Sequence, residues 1–127
     1  FLNELQKKEF FNLKWLRLFY MYGNGQHEKS IIPQLIAAID RGDEVFNMSA
    51  GEQLRDYLTV EQVSKKIIQY SLKDDTNGIY NICSGKPISI KKLVQNYIKK
   101  KNSEIKLNLG YYPYNDYEPI AFWGSNK

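Results

Sequence analysis

The sequence predicts an α/β fold with parallel strand pairing, and three observations carry that expectation. Leu13–Phe19 and Gly78–Cys83 are nearly continuous apolar runs, as strands buried on both faces should be. Between and after them stand amphipathic helical segments with recognisable starts and stops. Strands separated by helices point to a layered sheet rather than an all-α or all-β domain. The 127 residues suit one domain or part of a larger one, and 43% hydrophobic with 25% charged residues argues for folding rather than disorder.

The elements follow in order. Phe1–Phe11 reads as the end of a helix and Leu13–Phe19 as a strand, which runs into a loop over Tyr20–Lys29 marked by Gly23-Asn24-Gly25. Ser30 is placed to cap the next helix, with Pro33 tolerated in its first turn and Gly42 as its stop. Glu44–Met48 and Leu54–Leu58 are short extended pieces on either side of a turn at Ala50–Glu52. Thr59 with Gln62 forms a capping box for a helix to Leu72. Asp74–Gly78 is a turn before the second buried strand. Ser89 caps a helix whose apolar face is Ile90, Leu93, Val94, Tyr97 and Ile98, with Ile88 and Leu93 as a hydrophobic staple. Glu104–Leu109 alternates as a strand, and Gly110–Lys127, rich in aromatics, reads as a wrapped loop.

Several function classes are disfavoured. No apolar run approaches the roughly 20 residues of a membrane span, and Phe1–Phe11 has no signal-peptide pattern. Cys83 is the single cysteine and His27 the single histidine, which excludes an internal disulfide, argues against a metal site and fits a reducing cytoplasm. His27 lies in a glycine-rich loop and is expected in solvent. The net charge of +4 comes largely from lysines such as Lys91, Lys92, Lys99, Lys100 and Lys101, which fall on the polar side of one helix. That pattern reads as a solvated face, with no nucleic acid as partner. Phe1 stands where an initiator methionine would, so the chain is expected to be part of a longer protein.

Candidate chemistry gathers around Ser49–Val63. Arg55 and Asp56 sit between a turn and a helix start. The bland alternative is an ion pair that pins the turn; the functional one is an arginine presented to an anion such as a phosphate. Tyr20 and Tyr22 follow a buried strand, where open α/β sheets bind ligands. Phe46 and Met48 share a strand face that could flank a flat base or simply pack in the core. Gly23-x-Gly25 has Glu28 in place of a third glycine, so it is no dinucleotide fingerprint. Tyr97-x-x-x-Lys101 has dehydrogenase spacing, but Tyr97 falls on the apolar face of its helix and the match is accidental.

With those residues placed, the chain resembles the C-terminal part of an extended short-chain dehydrogenase/reductase of the nucleotide-sugar epimerase/dehydratase family. Leu16–Gly23 is similar to the family's L-R-x-x-N-V-Y-G strand and loop, and Ser30–Ile36 to its first substrate-domain helix. Glu52–Val63 is similar to x-Q-x-R-D-F-x-x-V-D-D-V, and Tyr80–Ile90 to Y-N-V-G-S-G-x-x-x-S-I. The segments stand in family order across nearly the whole chain. The resemblance implies a Rossmann-type fold divided into 1–29 (end of the catalytic helix, late strand and loop), 30–58 (substrate-binding segment), 59–102 (return to the Rossmann part) and 103–127 (substrate-domain strand and tail). It implies NAD or NADP as cofactor, a nucleotide-sugar substrate, hydride chemistry at the sugar C4 and a homo-oligomer. Its catalytic residues would precede Phe1, so the fragment alone would be inactive.

Carried over by position, Phe19, Tyr20 and Met21 match cofactor-contacting residues. Tyr22, Pro33, Leu35, Phe46, Met48 and Arg55 match substrate-binding ones, with Arg55 on the pyrophosphate. Two departures stand out. Tyr20 replaces an asparagine common in the family, and Tyr114-Asn115-Asp116 falls where many members carry a second phosphate-binding arginine. The choice between epimerase, dehydratase and reductase stays open, as does a non-catalytic nucleotide-binding or interaction module.

Overall fold

The computed structural model describes residues 1–73 and 77–126. Its elements are α1 (Leu2–Gln6), β1 (Lys14–Leu18), β2 (Tyr20–Tyr22), α2 (Ile31–Arg41), β3 (Val45–Asn47), β4 (Leu54–Arg55), β5 (Tyr57–Thr59), α3 (Val60–Ser71), β6 (Gly78–Ile82), β7 (Ile88–Ser89), α4 (Ile90–Lys100), β8 (Lys106–Asn108) and β9 (Ala121–Phe122). The α/β class and its parallel pairing hold. β1 pairs with β6, β2 with β5 and β3 with β8, all parallel, while β4 lies between antiparallel β7 and parallel β9.

Two cores hold these pieces. Leu35 and Ala38 of α2 pack with Phe46, Met48, Val94 and Ile105. Leu58, Val63 and Ile82 form the second, with Leu16 and Ile67 against it. Each large side chain enclosed this way contributes about 1.5–3 kcal/mol. The helix signals act as expected at most ends. Thr59 and Gln62 make the reciprocal capping box, and Ser89 Oγ accepts from Lys92 N–H at 3.1 Å. Gly42 closes α2 in the left-handed conformation, φ 76°.

Elsewhere the structure departs from expectation, for identifiable reasons. Ser30 occupies the N-cap position of α2 but its side chain caps nothing; Gln34 Nε2 instead donates to Lys29 O at 2.5 Å. The Tyr20–Lys29 loop begins with a strand, because Tyr20–Tyr22 finds β5 as a ladder partner. Leu54–Leu58 is not one strand: the chain leaves one sheet at Arg55 and joins another at Tyr57, with Asp56 as the break. The tail is not wholly irregular, since Ala121–Phe122 adds to β4. β1 is not buried on both faces: Leu16 packs inward, whereas Trp15 remains 58% exposed and its register partner Ile79 59%. The turn expected over Asp74–Gly78 falls on 74–76, outside the described residues.

Candidate functional site

Arg55 and Asp56 are adjacent in sequence and part company in space. Successive residues of an extended chain point to opposite sides. Asp56 turns inward, fully buried, where Oδ1 accepts from Ser84 N–H at 2.7 Å. Its Oδ2 accepts from Gly85 N–H at 2.8 Å and Gly124 N–H at 3.4 Å. Burial pushes this carboxyl's pKa up, but the hydrogen bonds from Ser84, Gly85 and Gly124 outweigh it and hold the group below its ordinary range. Asp56 therefore ties strand to loop to tail, and the turn-pinning Arg–Asp pair does not form.

Arg55 turns the other way. It is only 3% exposed, and among the described residues the one carboxylate paired with its guanidinium is Glu118. Nη1 donates to Leu54 O at 2.9 Å and, at 3.5 Å, to Ile120 O; Nη2 lies 3.6 Å from Glu118 Oε2. The Tyr20 ring sits beside it, 5.5 Å from Cζ to centroid. A buried cation served by two carbonyls and a single ion pair at 3.6 Å has donors left over for a further anion, since a guanidinium carries five. Its charge also reaches Tyr57: burial pushes that phenol above its ordinary value, against the lowering pull of Arg55.

The tail roofs this region. Leu54 N–H donates to Ile120 O at 2.8 Å, and Phe122 stacks on Phe19 at 5.4 Å between centroids and meets Tyr20 edge-on. A cavity of about 370 Å³ opens between α2, β3 and the tail, lined in part by Phe46, Met48, Ser49, Gln53, Tyr114 and Glu118. Glu118 thus faces both this cavity and Arg55. Gln53 is buried, and its Oε1 has no hydrogen-bond partner among the described residues.

The residues nominated from sequence divide into groups. Phe46 and Met48 line the cavity, and Arg55 adjoins it through Glu118. Phe19, Tyr20 and Met21 lie at the carboxyl end of β1, with Phe19 and Tyr20 against Phe122. Leu35 is enclosed completely in the first core, so it backs the cavity wall instead of facing it. Pro33 and Tyr22 line a different space, of about 210 Å³, alongside Tyr97 and Lys100. Gln53 and Glu118 were not nominated. Gln53 stands two residues before Arg55, a spacing that puts both on one side of an extended segment. Glu118 has no comparable local signal, because only the path of the tail brings it here. His27 is exposed, and its Nδ1 accepts from Lys29 N–H at 3.1 Å. Cys83 is buried, and burial, then the Asp56 charge, push its thiol above the ordinary range. Among the described residues no group of three potential metal ligands occurs, and no helix is long and apolar enough to cross a membrane.

Parallel strand pairs alternating with helices are the frame of a Rossmann-type protein. The chain belongs to the NAD dependent epimerase/dehydratase family, whose model matches residues 2–83. It is 33% identical over 114 residues to dTDP-6-deoxy-L-talose 4-dehydrogenase (NAD(+)) of Aggregatibacter actinomycetemcomitans, covering 90% of this chain and 42% of that protein. Among solved structures it resembles a UDP-N-acetylglucosamine 4-epimerase from Methanobrevibacter ruminantium M1 in complex with UDP-N-acetylmuramic acid. That match has a TM-score of 0.81 and 26% identity, over 98% of this chain and 40% of the other. A UDP-glucose 4-epimerase of Thermotoga maritima, solved with UDP-glucose, shares the fold at TM-score 0.79 and 19% identity, over 98% and 40% of the two chains. The chain therefore spans about 40% of the length of these relatives.

Proposed function

We propose that this chain forms the substrate-binding side of an NAD(P)-dependent enzyme that modifies nucleotide sugars, with Arg55 receiving the diphosphate. The observation that carries this reading is the buried Arg55 guanidinium, which is short of acceptors and adjoins the cavity lined by Phe46 and Met48. A diphosphate supplies the acceptors that Leu54 O, Ile120 O and Glu118 only partly provide, and a forked contact suits it. Phe46 and Met48 give the base an apolar wall, which Leu35 supports from behind. Tyr22 and Pro33 line the second space, so their part in substrate binding runs through the loop between β2 and α2.

The residues at the end of β1 fit the flat end of a nicotinamide cofactor. Tyr20 is partly exposed there, and Phe19 with Phe122 adds an apolar shelf. A bound nicotinamide would supply the partner for hydride exchange with the sugar C4. Phe19, Tyr20 and Met21 would orient that ring and exclude water from it. No residue of this chain is assigned the proton transfer, and the chain by itself is expected to be inactive. The relatives named for NAD(+)-dependent sugar oxidation and for UDP-sugar epimerisation support the same reaction class.

The test is conversion. The intact protein, incubated with NAD or NADP and a panel of UDP-, dTDP- and GDP-hexoses, should bind and alter at least one of them, read by chromatography of the nucleotide sugars. A protein that binds none of them at millimolar concentration would point to a non-catalytic module.

A further inference from the structure

The anion site is built from two parts of the chain that are far apart in sequence. Arg55 supplies the cation, but its surroundings at Glu118 and Ile120 belong to the tail. Phe122 holds the middle of that tail against Phe19 and Tyr20. The two-residue β9 gives it only a short ladder against β4. Its far end is fastened more firmly. Gly124 N–H donates to Asp56 Oδ2, Asn81 Nδ2 donates to Ser125 O at 3.0 Å, and Asn126 Nδ2 donates to Ser84 O at 2.9 Å. Cys83 Sγ donates to Asn126 Oδ1 at 2.8 Å. Gly124 is buried so tightly that a Cβ there would stand 2.6 Å from Cys83 Sγ and 2.8 Å from Phe19 Cζ.

Asp56 is the only member of this knot that is also the neighbour of Arg55. Its two oxygens bind the Ser84-Gly85 turn and the tail at once. We propose that Asp56 is the positioning residue of the Arg55 site: it clamps residues 118–126 as a strap over the guanidinium, and the anion site exists only while that strap is docked. This rests on the reading that Arg55 receives a diphosphate. It adds that substrate affinity is set by a carboxylate that never touches substrate. A ligand contacting both Arg55 and the strap would in turn tighten the strap, because binding and docking stabilise one another.

Two measurements on the intact protein test this, with UDP as the probe: calorimetric affinity, and hydrogen–deuterium exchange of peptides covering 118–126 and 31–41. In the wild type, UDP should slow exchange in 118–126. Asp56→Asn replaces an acceptor with an amide that meets N–H donors, and Gly124→Ala inserts a methyl group where Cys83 and Phe19 leave no room. Both should speed exchange in 118–126, leave 31–41 protected, and weaken UDP about tenfold or more. If a variant unfolds, 31–41 will lose protection too, and Asn126→Ala then takes its place with a smaller shift in the same directions. A loosened strap with unchanged UDP affinity would overturn the proposal, and so would weakened binding with the strap still protected. Arg55→Ala separates the two readings. If it loses UDP while Asp56→Asn and Gly124→Ala do not, the anion anchor stands and the strap falls. If Arg55→Ala binds UDP like the wild type, the anchor itself is wrong.

Discussion

Asp56 and Arg55 show how far one residue's neighbours can redirect its role. The carboxylate takes the backbone donors of Ser84, Gly85 and Gly124, so it is unavailable to the arginine beside it. The folded state holds Asp56 below its ordinary pKa. A carboxyl depressed on folding stabilises the protein fully above its unfolded value and loses that contribution as pH falls through its folded value. Acid unfolding is therefore expected to gain a component below about pH 4. Asp56→Asn should flatten that part of a stability-versus-pH curve while lowering stability at neutral pH by about 2 kcal/mol. An unchanged acid limb in denaturant titrations from pH 3 to 7 would show that Asp56 is not its source.

At the scale of elements, local chemistry decides the helix ends and tertiary partners decide the strands. Thr59 and Gln62 satisfy each other's backbone at the start of α3, and Thr59→Ala should cost about 1 kcal/mol in chemical denaturation. A loss below the error of the measurement would mean that water caps the helix equally well. These caps were legible in the sequence because a cap involves residues three apart. So was the parallel class, from the alternation of apolar runs and amphipathic helices. β2, the break at Asp56 and β9 were not legible, because each depends on a ladder partner distant in sequence: Tyr57–Thr59 for β2, Leu54–Arg55 for β9. The site divides the same way. Arg55, Phe46 and Met48 could be named from their local setting. Glu118 could not, because a loop of aromatics offers no period from which to read its path. Leu35 was readable as apolar, but whether it faces a cavity or a core is decided by Val94 and Ile105, on elements far along the chain.

At the scale of the whole molecule, the exposed side of β1 and β6 is the most telling feature. Trp15 and Ile79 lie side by side in register, each more than half exposed, and neither strand has a second neighbour among the described residues. Apolar side chains in that arrangement, next to open strand edges, favour association. The 127-residue chain expressed alone should self-associate in sedimentation velocity, and Trp15→Lys should reduce that association. A monodisperse wild-type monomer at tens of micromolar would contradict this. Arg55, recessed between Tyr20 and the tail, carries the functional reading. Its most direct test is the calorimetric affinity of the intact protein for UDP with Arg55 and with Arg55→Ala. Loss of a charge-assisted forked contact should weaken UDP by about tenfold to a hundredfold. Equal affinities would remove Arg55 from the site and the diphosphate from the reading.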